Sequence, residues 1–146
     1  MRKVNTLRFG DIEVDEKKIV HFDEGIPAFE DEHEFLIVPY DEESPYVFLQ
    51  SLNTPDLAFL MTSPFVFFND YQFEIDDDTL NRLGIISQDQ LLIYTLISIP
   101  GNSIENMTTN LMAPIVINAE TMSARQVILE KSGYTTKHRL FPEKEK

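Results

Sequence analysis

Short apolar runs separated by turn residues make up the pattern of hydrophobic and polar positions along the chain. Most runs are about 4–8 residues long and rich in β-branched and aromatic residues, which is typical of strands. Turn-forming sequences separate them, such as Asp23-Glu24-Gly25, Asn53-Thr54-Pro55-Asp56 and Pro100-Gly101-Asn102-Ser103. The pattern predicts ten strands: residues 4–9, 13–14, 19–22, 35–39, 46–52, 57–61, 66–75, 91–98, 109–118 and 124–129.

The succession of strands indicates an all-β fold. No internal repeat, low-complexity tract or Gly/Ser linker interrupts the chain, so we expect a single domain over residues 1–146 with a short polar tail at about 141–146. A chain of 146 residues is long enough to bury a sizeable core. Because closing a sheet hides its edges, we predict a small closed or partly closed β-barrel-like domain.

One segment departs from the strand pattern. The three acids at 76–78 stand where a helix N-terminus favours negative charge, Leu80 and Leu83 share a face, and Gly84 can end the helix. The sequence therefore predicts one short helix over about 77–83. Three adjacent carboxylates lack the alternating spacing and the later Glu of an EF-hand calcium loop, so we expect no calcium site.

The charged residues restrict the possible functions of the protein. The chain has 12 Lys+Arg and 25 Asp+Glu, a formal net charge of −13, and residues 11–43 hold 13 acids against only Lys17 and Lys18. Such a surface repels phosphate backbones, because nucleic-acid binding needs Lys and Arg to displace counterions. We expect no direct RNA or DNA binding. The acidity favours a basic protein partner, or it serves only to keep the domain soluble.

Candidate chemistry is sparse. The chain has no Cys, so it has no disulfide or thiolate site. His33-Glu34 begins like a helical zinc motif, but Ile37 stands where the second His ligand is needed. No Gly-x-Ser-x-Gly elbow or phosphate-binding glycine loop is present. The residues predict a non-enzyme without metal or cofactor, and the missing signal peptide and apolar span predict a cytoplasmic protein with no membrane segment.

Three stretches carry a resemblance to a known family. Residues 22–30 read Phe-Asp-Glu-Gly-Ile-Pro-Ala-Phe-Glu, residues 48–52 read Phe-Leu-Gln-Ser-Leu, and residues 108–118 read Thr-Thr-Asn-Leu-Met-Ala-Pro-Ile-Val-Ile-Asn. Together they resemble the flagellar assembly factor family FliW. The family pattern usually reads Gly-Ile-Pro-Gly-Phe-Glu and Thr-Ala-Asn-Leu-x-Ala-Pro, so this chain departs at Ala28 and Thr109. The alanine indicates a position that does not strictly need the φ freedom of glycine.

The resemblance implies a small β-barrel-like protein that binds other proteins and catalyses nothing. Its implied partners are flagellin and the basic RNA-binding translational regulator CsrA. In the family, cytoplasmic flagellin holds FliW, and once flagellin is exported the freed FliW binds CsrA and relieves repression of flagellin translation. The antagonist acts away from the RNA site and also repels approaching RNA by its charge. We expect the chain to be a monomer when free.

The expected binding residues divide into acidic and apolar sets. The acids predicted to bind CsrA are Glu24, Glu30, Asp31 and Glu32. Their replacement by Lys should weaken CsrA binding with little loss of folding. The predicted apolar anchors for flagellin are Phe29, Phe65, Phe67, Phe68 and Tyr71. The complete set of predicted protein-binding residues is Glu24, Phe29, Glu30, Asp31, Glu32, Gln50, Phe68, Tyr71 and Asn110. In each set a structural role is the alternative: acids on a solvated face, aromatics in the core, and asparagines bonding turn backbone.

Two other functions stay open on the sequence alone. A small-ligand-binding or hydrolytic β-barrel requires a concave pocket with converging polar groups and shifted pKa values, and a filled interior would count against it. A nucleic-acid mimic that occupies the RNA site of CsrA itself would compete directly with RNA, whereas antagonism at a separate site allows a transient ternary complex.

Overall fold

Eleven strands and one α-helix form the fold within the residues that the computed structural model describes, 1–130 and 132–141. Helix α1 spans Asp77–Leu83, as the sequence predicts. Residues 142–146 of the predicted polar tail lie outside the described residues. The strands are β1 (Arg2–Thr6), β2 (Gly10–Val14), β3 (Val20–Phe22), β4 (Glu34–Pro39), β5 (Tyr46–Ser51), β6 (Ala58–Thr62), β7 (Leu91–Ser98), β8 (Thr108–Thr109), β9 (Ile115–Asn118), β10 (Ser123–Gln126) and β11 (His138–Arg139).

Seven of these strands close into a barrel. Their order is β7-β6-β5-β4-β3-β10-β9, and β9 pairs back to β7. The pairs are antiparallel except for β3 with β10, which is parallel. Strands β8 and β11 extend the sheet from β7, and β1 and β2 form a separate hairpin. The predicted all-β barrel with one short helix is confirmed.

Apolar side chains occupy the barrel interior because alternate residues of each strand point inward. Ile37 lies opposite Leu49 across β4 and β5, and Tyr94 lies opposite Ile115 across β7 and β9; all four pack in the interior. The buried members of this interior cluster are Val20, Phe22, Ile26, Phe35, Leu49, Met61, Ile115, Ile117 and Ala124. This packed interior counts against a small-ligand-binding barrel.

A second core lies outside the barrel, beneath a covering segment that we define as residues 64–75. The predicted strand over 66–75 is wrong. Pro64–Val66 is a 3-10 helix, and the residues after it form turns and irregular chain. Three aromatic side chains of the segment, Phe68, Tyr71 and Phe73, pack on the second core instead of pairing in a sheet, and Tyr71 is 4% exposed. Its hydroxyl donates a 2.7 Å hydrogen bond to the carbonyl of Leu111.

Helix α1 begins and ends where local chemistry predicts. The carboxylate of Asp76 accepts a 2.7 Å hydrogen bond from the backbone N–H of Thr79. The hydrogen bond with the side chain of Thr79, together with this backbone bond, lowers the pKa of Asp76. Gly84 ends the helix with a φ of 68°, in the left-handed region that glycine adopts without steric cost. The side-chain amide of Asn118 donates to the carbonyl of Leu83 at 2.7 Å and fixes this end against β9.

The predicted strand over 109–118 is two strands, β8 and β9, separated by a turn at 110–114. The side-chain oxygen of Asn110 accepts a 3.0 Å bond from the backbone N–H of Ala113, which stabilises the turn. Pro114 follows and has no N–H to continue a ladder. The turn brings Asn110 and Met112 to the surface at one end of the barrel, beside the loop that follows β3.

Candidate protein-binding site

The acidic loop, residues 23–32, connects β3 to the start of β4. Its backbone folds back on itself, because the N–H of Phe29 donates a 2.6 Å bond to the carbonyl of Ile26, and the reverse bond is 3.4 Å long. Gly25 makes this possible. It has a φ of +70°, and a Cβ there would lie 2.4 Å from the carbonyl oxygen of Glu30. The loop has a defined conformation that depends on glycine at this position.

Ala28 adopts a φ of 73° at the tip of the acidic loop. The expectation that this position does not need the φ freedom of glycine is therefore wrong. The alanine lies in the left-handed region, which disfavours L residues by about 1 kcal/mol. Its N–H donates a 3.3 Å bond to Oε1 of Glu30, and the bonds between Ile26 and Phe29 enclose it. The surrounding loop imposes this conformation on the residue.

Ion pairs fix the beginning of the acidic loop. Glu24 lies 2.7 Å from Arg82 of α1 and 3.4 Å from Arg125 of β10. A lysine at this position would face two arginines, so Glu24 orients the loop as well as adding charge. Each exposed pair contributes little free energy, and their combined effect is to hold the loop against the helix.

Hydroxyl groups fix the end of the acidic loop. The half-buried carboxylate of Glu32 accepts a 2.6 Å bond from Ser51 and a 3.1 Å bond from Thr54. Asp31 and Glu30 lie between the two anchored ends and are exposed. Of the four acids predicted to form an electrostatic surface, these two are therefore the ones available for a charge-reversal test that leaves the anchors intact.

A concave anionic surface lies on one side of Phe29. It has a volume of about 420 Å³, and Ala28, Thr54 and Leu57 complete its wall. The carboxylates that line it belong to Glu30, Asp31, Glu32 and Asp56. The sequence has no Lys or Arg from residue 19 to residue 81, so this part of the chain supplies no positive charge to balance them.

An apolar groove of about 310 Å³ lies on the other side of Phe29. The ring of Phe29 is 39% exposed and packs edge-on against Phe59, with centroids 5.3 Å apart. Ile128 is 50% exposed and also lines the groove. Further lining comes from Ile26, Leu96, Asn110, Met112 and Gln126. The groove thus joins the stretch at 22–30 to the stretch at 108–118, which are distant in sequence.

Two of the predicted binding residues are buried. Gln50 is 0% exposed, and its Nε2 donates to the carbonyls of Ser51, Pro55 and Leu57. Tyr71 lies in the second core, where burial raises the pKa of its phenol. Both side chains contact the protein interior in this structure, and these contacts are structural; that they touch a partner stays a prediction.

The other predicted aromatic anchors lie apart from the groove. Phe65 is 44% exposed beside Tyr71, with ring centroids 5.8 Å apart. Phe67 is half-buried and stacks on Tyr46, and half-buried Phe68 packs edge-on against His138. Asn110 is also half-buried and lines the groove while its side chain stabilises the turn. Phe29 is the predicted anchor that the structure brings to the groove.

Of the residues that line the groove, the predicted set contains Phe29 and Asn110; Phe59, Met112, Gln126 and Ile128 are among those it missed. A signal was present for Ile128. Val127, Ile128 and Leu129 are three consecutive apolar residues, so an extended chain that buries Val127 and Leu129 must turn Ile128 outward, as the structure shows. An exposed isoleucine in that register indicates an apolar surface.

In the part of the chain that the structure describes, no group of three His, Asp or Glu side chains is arranged to hold a metal ion. His33 contacts backbone, with Nδ1 2.8 Å from the carbonyl oxygen of Phe22. The helices within the described residues are all too short or too polar to cross a bilayer.

Comparison with known proteins identifies the family. The family model described as FliW protein matches residues 3–140. The chain belongs to the FliW family. The flagellar assembly factor FliW of Geobacillus kaustophilus (strain HTA426) is 45% identical over 142 residues, 97% of each chain. That of Bacillus subtilis (strain 168) is 40% identical over 135 residues, 92% of this chain and 94% of the relative.

A crystal structure of a flagellar assembly factor FliW supports the same family assignment. It superposes with a TM-score of 0.91 at 42% identity, covering 99% of this chain and 100% of that one. The barrel described above is therefore a FliW fold, and two of the three stretches that carry the resemblance, 22–30 and 108–118, meet at the groove beside Phe29.

Proposed function

We propose that this chain is a flagellar assembly factor that acts by binding proteins and not by catalysis. It binds flagellin and, when free, it binds and antagonises the RNA-binding translational regulator CsrA, which relieves repression of flagellin translation. One observation carries this proposal. Residues 22–30 and 108–118, two of the stretches that resemble the family pattern, meet at Phe29, where an apolar groove adjoins the acidic loop. We also propose that the protein works in the cytoplasm and is a monomer when free.

The acidic loop supports binding to CsrA. A basic RNA-binding protein carries Lys and Arg on its surface, and the exposed Glu30 and Asp31 offer it the complementary charge. A partner with a formal charge of −13 also adds a field that disfavours phosphate over about one Debye length, ~8 Å at physiological salt. The antagonist can therefore weaken RNA binding without covering the RNA site.

The apolar groove supports binding to flagellin. A chain that must be kept from polymerising offers an apolar segment, and such a segment needs a groove with exposed apolar anchors. Phe29 and Ile128, both partly exposed in the lining of the groove, provide these anchors. Contacts of this kind respond weakly to salt because they remove apolar area from water. The two partners should therefore differ in their dependence on ionic strength.

Isothermal titration of the purified chain with purified CsrA and with purified flagellin tests the proposal. We expect the double variant Glu30→Lys/Asp31→Lys to bind CsrA at least about tenfold more weakly at low salt. Glu42→Lys/Glu43→Lys is the matched control, because it reverses two exposed charges in the β4–β5 turn. Equal losses in the two double variants would show that only net charge matters and would remove the loop from the interface.

The flagellin half of the proposal has its own matched pair. Phe29→Ala should weaken flagellin binding about tenfold or more, whereas Phe65→Ala should not, although the two rings are similarly exposed. If neither flagellin nor CsrA binds the unaltered chain at low salt, the proposed function is wrong.

A further inference from the structure

Gln50 has an unusual pattern of hydrogen bonds for a buried side chain. It lies on β5 next to Leu49, which points into the barrel, so the side chain of Gln50 points to the opposite face. That face is solvent-free at this position because the turn between β5 and β6 folds over it, and Gln50 is 0% exposed. A fully buried amide needs partners for both ends.

Only the donor end of the amide has partners. Nε2 donates to the carbonyls of Ser51, Pro55 and Leu57, at 2.9, 3.3 and 3.1 Å. Among the described residues, Oε1 has no hydrogen-bond partner. The three accepting carbonyls all belong to the stretch 51–57. A donor that gathers three carbonyls of one turn defines the shape of that turn.

The 51–57 turn itself holds the acidic loop, through hydrogen bonds from Ser51 and Thr54 to Glu32. Ser51 Oγ accepts the backbone N–H groups of Asn53 and Thr54, at 3.1 and 3.0 Å, which leaves its own hydrogen directed to Glu32 at 2.6 Å. The hydroxyl of Thr54 reaches the other oxygen of Glu32 at 3.1 Å. A chain of hydrogen bonds therefore runs from the buried amide of Gln50 to the last acid of the loop.

We propose that Gln50 is a positioning residue for the acidic loop: it holds the 51–57 turn so that Ser51 and Thr54 fix Glu32, and through Glu32 it presents Glu30 and Asp31 to a cationic partner. The role in partner binding rests on the proposed function, whereas the hold on the loop does not. Gln50 acts without contacting the partner, and glutamate or an apolar residue at this position would lack the donor.

The test uses Gln50→Met, which keeps the length of the side chain and removes the donor. Hydrogen exchange of the free protein should show the amides of 28–32 exchanging about tenfold faster, and titration should show CsrA binding about tenfold more weakly. Thr62→Val is the matched control. It removes a buried 2.9 Å bond to the carbonyl of Pro45 at the other end of the β5–β6 pair, and it should leave both measurements unchanged.

A second variant separates positioning from general destabilisation. Glu32→Gln should itself weaken CsrA binding, and combining it with Gln50→Met should add little further loss of affinity while the loss of thermal stability still adds. If Gln50→Met does not fold, Thr54→Val replaces it, because Thr54 is half-buried in the same turn. We expect this variant to change loop exchange and CsrA affinity in the same direction by a smaller factor.

Three results decide the outcome. Equal exchange changes in Gln50→Met and Thr62→Val would overturn the proposal, because the effect would then be general. Faster loop exchange with unchanged CsrA affinity would overturn the part that concerns the partner. If the unaltered chain binds no CsrA, the proposed function fails, and the exchange measurement still shows whether Gln50 holds the loop.

Discussion

The acidic loop and the covering segment are both irregular stretches rich in side chains that resemble binding anchors, yet they place their aromatic side chains differently. In the covering segment, Tyr71 turns inward and covers the outer face of the barrel, and Phe65 is 44% exposed outside the groove lining. In the acidic loop, Phe29 is 39% exposed at the groove, and backbone bonds to Ile26 and anchored carboxylates at both ends hold the loop. Exposure alone does not distinguish Phe29 from Phe65; the position of Phe29 beside the groove in an anchored loop does.

The largest expected loss of stability comes from a substitution in the covering segment, which leaves the acidic loop intact. Tyr71→Ala removes a buried ring and a buried hydrogen bond to Leu111, so it should lower the free energy of unfolding by about 3–5 kcal/mol. Phe29→Ala should lower it by about 1 kcal/mol, because that ring is already partly exposed. Urea unfolding measures both. Similar costs for the two variants would mean that the two regions do not differ in the way described.

The next effect breaks the loop itself. Gly25→Ala places a Cβ 2.4 Å from the carbonyl oxygen of Glu30 and should cost about 2–3 kcal/mol. Gly10→Ala is the matched control, because its φ is also +70° but nothing lies within 4 Å of the added carbon. It should cost about 1 kcal/mol. Thermal unfolding of both variants checks the difference, and equal losses would refute the close approach at Gly25.

A smaller effect of opposite sign sharpens the account of the loop. Ala28→Gly should stabilise the protein by up to about 0.5 kcal/mol, because relief of the left-handed conformation, worth about 1 kcal/mol, is offset in part by the added chain entropy of the unfolded state, about 0.4–1 kcal/mol. Ala58→Gly, within strand β6, should destabilise the protein, because glycine in a strand loses more conformational freedom on folding than alanine. Chemical unfolding distinguishes the two, and a destabilised Ala28→Gly variant would contradict the prediction.

The smallest expected effect is a pH dependence of stability at His138, which packs against Phe68 of the covering segment. Burial lowers the pKa of His138 below its ordinary value of 6.5, and Nε2 accepts a 2.8 Å bond from the N–H of Thr135. The unfolded chain then binds the proton more tightly than the folded chain, so this stability is full above pH 6.5 and is lost as pH falls through the folded pKa. His138→Gln should flatten this dependence when the free energy of unfolding is measured as a function of pH.

Local chemistry explains what the sequence predicted well. Alternation of apolar residues indicated the barrel strands, and the acids at 76–78 with Gly84 indicated helix α1, because caps and side-chain periods act over a few residues. The stretches at 22–30 and 108–118 indicated the family, which the family model confirms. None of these inferences required knowledge of distant contacts.

Distant contacts explain what the sequence could not predict. The aromatic residues at 66–75 alternate as a strand would, and only the position of the barrel beneath them turns the segment into a cover. Gln50 is buried because residues 51–57 fold over it, and Ala28 has a positive φ because the rest of its loop imposes one. In each case a partner outside the local window determines the conformation.

The most direct test of the central claim is the hydrogen-exchange footprint of each partner on the unaltered chain. The account predicts that CsrA slows exchange in the acidic loop and that flagellin slows exchange at Phe29 and along the groove near Met112. Protection confined to the covering segment, residues 64–75, with either partner would contradict it.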